Sequence, residues 1–172
     1  LAGSGSAAAQ GGESPAQALA RAFPPPATVE RRTAFLDEPA RVRVAEASGS
    51  DRGDVPGVVT YYVGRHEDEV VGYAYFDAHT VRTRRELLMV RLDRAGAIVR
   101  IEVLRFAEPP EYRPPERWLE AFEGRDAAEQ LAARREIVGL TGATLTAAAV
   151  RRAARRILAI HRLVAADGRG PQ

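Results

Sequence analysis

Between residues 58 and 107 the chain offers four runs rich in β-branched and aromatic residues, separated by short polar breaks. They cover residues 58–64, 70–79, 85–92 and 97–107. Such runs suit a pleated, half-buried surface and lose side-chain freedom in a helix. The breaks at His66-Glu67-Asp68-Glu69 and Asp93-Arg94-Ala95-Gly96 are of hairpin length. Strands joined so closely pair antiparallel, because a parallel pair needs a long crossover. The expectation is an antiparallel meander with one face to cover.

The cover comes from the far end of the chain. From Val150 onward, apolar positions recur at Ala153, Ala154, Ile157, Ile160, His161 and Val164. Arg151, Arg152, Arg155, Arg156 and Arg162 fall on the other side. This period predicts one amphipathic helix over 145–164. The fold class is therefore α+β: an antiparallel sheet meander packed against a long C-terminal helix, with short helices in the loops. Short helical segments are expected at 15–23, ended by Pro24-Pro25-Pro26, at 38–47 behind an Asp37 cap, at 117–122 and at 127–135. Residues 28–35 look extended. Residues 1–15 read as a flexible Gly/Ser/Ala tail or the remnant of a secretory signal, 16–166 as a single domain, and 167–172 as a frayed end.

Composition removes several functions. The formal net charge is only +2, and all 25 basic residues are Arg, which gives no strong case for nucleic acid. The absence of Cys excludes disulfides, thiolate chemistry and Cys-rich metal sites. No run of about 18 apolar residues offers a transmembrane segment in the sequence given. No Ser-His-Asp or P-loop pattern stands out. His66 lies in an acidic turn and reads as surface, His161 as a buried structural residue, and three scattered histidines do not make a metal site.

What remains is the entry to the last helix, Thr141-Gly142-Ala143-Thr144-Leu145-Thr146. A helix N-terminus presents unpaired N–H groups and a partial positive charge, a ready site for a phosphate. Three threonine hydroxyls crowd the same place. Each can cap the helix, hydrogen-bond a phosphate, or be esterified by one. On local physics alone an ordinary cap is the simpler reading.

The residues in order change that weighing. Thr-Gly-Ala-Thr-Leu-Thr, followed by Ala147-Ala148-Ala149-Val150, resembles the [ST]-G-A-T-[LVI]-[TS] signature of the FMN-binding domain family. That family includes the extracytoplasmic FMN-carrying subunits of Rnf and sodium-translocating NADH:quinone reductase complexes. The likeness runs upstream to about Val58. Val71-Gly72-Tyr73-Ala74-Tyr75-Phe76 resembles the family's Gly-Tyr strand, and Leu92-Asp93-Arg94-Ala95-Gly96-Ala97-Ile98 its D-x-x-G-x-I hairpin. Glu108-Pro109-Pro110-Glu111-Tyr112 stands where many members have E-T-P-G. One position departs: Val138 stands where many members carry an Asp.

The resemblance implies one FMN, joined through its phosphate to Thr144 by a flavin transferase that uses FAD. It implies an electron carrier outside the cytoplasm, working with a redox partner protein or a membrane electron-transport complex. Thr141, Gly142, Ala143, Leu145 and Thr146 become contacts for the phosphate and its approach. Glu108, Pro109, Pro110 and Tyr112, with Trp118 as an aromatic wall, become contacts for the flavin ring. His79 and Arg82, at a strand end, are candidates to face its polar edge. Two other readings stay open: a flavin reductase with non-covalent FMN, and a cofactor-free interaction module of the same fold.

Overall fold

The computed structural model describes residues 12–131 and 142–166. Five strands form one sheet in chain order: β1 (Thr28–Phe35), β2 (Val58–His66), β3 (Glu69–Val81), β4 (Arg84–Leu92) and β5 (Ile98–Phe106). Every neighbouring pair is antiparallel. The meander expected from 58–107 is present, and residues 28–35 extend it as an edge strand. The helices are α1 (Pro15–Ala22), α2 (Glu38–Ser48), α3 (Glu116–Leu119) and α4 (Thr144–Ala166). Among the described residues, no helix is long and apolar enough to cross a membrane.

Strand alternation sorts the side chains. Tyr61, Val63, Tyr75, Leu88, Val90, Leu92 and Ile101 are buried on one face, against Val150, Ile157, Leu158 and Ile160 of α4 and Val44 of α2. The helix covers this face because its apolar stripe matches the period read from the sequence.

The other face is covered too, which differs from the one-sided sheet expected. Ala18, Leu19, Ala22 and Phe23, at the end of α1, pack on Ala74, Met89 and Leu104. Two features fix α1 there. Ser14 and Gln17 form a capping box, each side chain bonded to the other's backbone N–H at 3.2 and 3.0 Å. Gly64 and Gly72 face each other across β2 and β3, and a Cβ on Gly64 would overlap the Phe23 ring. Two glycines in register thus make the seat for one aromatic ring.

One irregularity bears on function. The ladder between β2 and β3 ends at Tyr61↔Tyr75. Beyond it β2 continues with β1 only, while residues 76–81 of β3 pair with β4 only. Among the described residues, this stretch of β3 has an open edge.

Candidate functional site

The last helix begins at Thr144. Gly142 precedes it at φ +82°, a left-handed conformation that costs an L-residue energy, and a Cβ there would meet nothing within 4 Å. Ala143 is buried and its carbonyl accepts the first helical bond, from the Ala147 N–H at 3.0 Å. The N–H groups of Thr144, Leu145 and Thr146 lie ahead of that bond, free of helical partners by geometry. Thr144 is exposed and Leu145 is 55% exposed, whereas Thr146 is 1% exposed. So the turn presents the Thr144 hydroxyl outward and buries that of Thr146. Thr141 and Val138 lie outside the described residues, as do 132–135, 1–11 and 167–172.

Two contacts align α4 with β3. Tyr75 Oη and His161 Nδ1 are 2.8 Å apart, and Arg156 Nη2 and Nε donate to Asp77 Oδ2 at 2.6 and 3.1 Å. Two residues of strand advance about 6.6 Å. Five residues of helix advance about 7.5 Å. The helix therefore runs antiparallel along β3, and its start reaches the end of the sheet where β3 turns into β4.

The expected contacts at 108–112 sit at that turn. Glu108 Oε1 accepts the N–H groups of Thr83 and Arg84, each at 2.9 Å, and these bonds hold its carboxyl below the usual range. Arg82, at φ +51°, lays its guanidinium 4.3 Å from the centroid of the Tyr112 ring. Pro109 and Pro110 open a short 3-10 turn, Pro110–Tyr112, in which the Tyr112 N–H bonds back to the Pro109 carbonyl at 3.0 Å. Trp118 is 8% exposed and meets Phe122 edge to face at 5.1 Å, within the main core.

His79 is less isolated than its sequence suggests. Its Nδ1 is 2.9 Å from Asp77 Oδ1 and its Nε2 is 2.9 Å from Glu86 Oε2. Asp77 shares its other oxygen with Arg156, whose Nη1 donates to Ser50 Oγ at 3.2 Å. Burial disfavours the imidazolium, but two carboxylates outweigh it and raise the His79 pKa to about 9. Burial would likewise raise Asp77, yet His79 and Arg156 hold it below the usual range. Glu86 is 1% exposed, and its Oε1 has no partner among the described residues. These four side chains balance two positive charges against two negative ones. Arg156, assigned by the helical period to the solvated side, is 8% exposed because Asp77 meets it.

A cleft of about 320 Å³ opens beside this network. Ala78, His79 and Thr80 of β3, Arg85 of β4, and Ala149 and Arg152 of α4 line it, with Asp54 contributing a carboxylate. Sequence reading missed Arg85, Arg152, Asp77 and Glu86. Asp77 and His79 were legible as i, i+2 residues on one strand face, and Glu86 as the partner of His79 across the hairpin. Arg152 had no such signal.

The geometry suits a phosphorylated, flat cofactor. A left-handed glycine clears the approach to the helix start, an exposed hydroxyl stands there, and a cationic cleft lies further along the same helix. Residues 87–159 match the family model of the FMN-binding domain. The match includes the Thr144 turn, Glu108 and Arg152 of the cleft, while Arg85 lies just before it. No curated protein and no solved structure matches the chain. Residues 87–159 are thus similar to the FMN-binding domain family, and FMN is the cofactor this match indicates.

Proposed function

We propose that the chain is an extracytoplasmic electron carrier whose FMN is esterified to Thr144. The observation that carries this reading is the exposed Thr144 hydroxyl at the first turn of α4, behind left-handed Gly142 and inside the matched segment. Gly142 and Ala143 keep bulk away from the phosphate. The N–H groups of Thr144, Leu145 and Thr146, with the helix dipole, favour its charge. Attachment forms a bond from Thr144 Oγ to the FMN phosphorus of FAD, breaks the pyrophosphate bond, releases AMP, and loses the hydroxyl proton. A flavin transferase supplies this step.

FMN, when bound, takes up electrons and passes them on, while the protein supplies position and charge. A tether suits a place where a lost cofactor is not recovered, which supports an extracytoplasmic role. The partners are a redox protein or a membrane electron-transport complex.

The test is production beside a flavin transferase, then denaturation and intact mass. The expected result is the mass of one added FMN in the unaltered protein and none in Thr144→Ala. Flavin that washes out on denaturation would contradict the ester.

A further inference from the structure

We propose that the outer face of the sheet, which α1 covers only in part, docks peripherally on an anionic lipid bilayer. This surface is separate from the flavin and does not depend on it.

Exposed apolar side chains gather there. Register puts Val29 and Phe35 of β1 and Val58 of β2 on this face, with Phe35 directly opposite Val58. They are 39%, 67% and 53% exposed. Tyr62 and Phe76 continue the patch inward, half-buried and edge to face at 5.5 Å. A single exposed apolar residue means little, but a group of them on one strand pair marks a contact surface.

Charge is segregated on the same face. Arg31, Arg85, Arg91, Arg100 and Arg105 point outward from the strands, against one carboxylate, Glu102. Glu102 is held by Arg21 and Arg100, and Arg21 also holds Glu13. The exposed positions of α1 at Pro15, Ala16, Gln17 and Ala20 add no negative charge. The whole chain carries only +2, so its positive charge is concentrated on this side. A second copy laid face to face would set like charge against like, which selects an anionic partner.

A bilayer meets both halves of the pattern. It offers phosphates at its surface and an apolar layer beneath them. An arginine forks onto phosphate while its stem lies along apolar surface. Phe35 and Val58, at the end of their strand pair, enter beside those phosphates. None of this needs a partner shaped to the sheet, as a protein contact would. α4 packs on the opposite face, so docking leaves the start of that helix, and Thr144, accessible.

Sedimentation of the full chain with phosphatidylglycerol vesicles tests this, with phosphatidylcholine vesicles as the control. Binding is expected to the anionic vesicles alone, and to weaken in 1 M salt, where the screening length is about 3 Å. Arg31→Gln with Arg105→Gln should lower the partition coefficient about 25-fold, or about fivefold for each arginine. Arg31→Lys with Arg105→Lys should keep most of the binding. Phe35→Ser, at an exposed site, should lower it about tenfold. The emission of Phe35→Trp should shift to the blue when anionic vesicles are added. Equal behaviour toward both kinds of vesicle, or binding unchanged in the glutamine pair, overturns the proposal. If the chain ignores vesicles but immobilised polyglutamate holds it through the same arginines, the bilayer is wrong and the face belongs to an acidic protein.

Discussion

Two histidines, His161 buried and His79 half-buried, are displaced in opposite directions, and this gives the stability of the fold a defined dependence on pH. Burial lowers the His161 pKa to about 4, with Tyr75 as its hydrogen-bond partner. The carboxylates of Asp77 and Glu86 outweigh burial and raise His79 to about 9. Both start near 6.5 when unfolded. Below pH 6.5 the unfolded chain protonates His161 before the folded one does, so stability falls as pH drops from 6.5 toward 4. Above pH 6.5 the unfolded chain loses the His79 proton first, so the stability His79 contributes is lost as pH rises through 9. Each displacement is worth roughly 3 kcal/mol on its flank. The depressed carboxyls, Asp77 and Glu108 among them, act below about pH 4.5 and leave the interval from 4.5 to 6.5 to His161. Urea unfolding from pH 4.5 to 9.5 measures this. With a slope of about 2 kcal/mol/M, the midpoint should peak near pH 6.5 and fall by about 1.5 M toward pH 9. His161→Gln should flatten the acid flank alone, and His79→Gln the alkaline flank alone. The reasoning is refuted if either flank survives unchanged in the variant meant to remove it.

Other outcomes follow from the same packing. Gly142→Ala should cost only about 1 kcal/mol, because the strain of φ +82° meets open space. Gly96→Ala should cost more by thermal denaturation, because φ +90° is joined by a Cβ 2.9 Å from the His161 ring. Phe122→Ala, at a fully buried site against Trp118, should cost about 3–5 kcal/mol in urea unfolding with its slope unchanged.

The sheet was legible because each strand carried its own β-branched pattern and each hairpin its own break. The long helix was legible because its stripe repeats over five turns. The seat of α1 was not, because an eight-residue helix carries too little pattern to say which surface it covers. The facing pair Gly64 and Gly72 held that information, but only once the register was known. Arg156 shows a second limit. Period places it on the polar side of α4, and only a carboxylate from β3 explains its burial. The motif at 141–146 marked the helix start by residue type alone. The cleft drew on β3, β4 and α4 at once, and β2 leaves β3 beyond the Tyr61–Tyr75 pair. No local pattern announces such a departure.

The most direct test of the central claim uses the chain's own arginines. Trypsin cutting after Arg135 and Arg151 releases one peptide, 136–151, that contains Thr141, Thr144 and Thr146 and no other threonine. Digestion of the flavinylated protein, with fragmentation of its yellow peptide, should place the whole FMN mass on Thr144. FMN on Thr141 or Thr146, or a colourless 136–151 peptide from a protein that arrived yellow, would contradict the account.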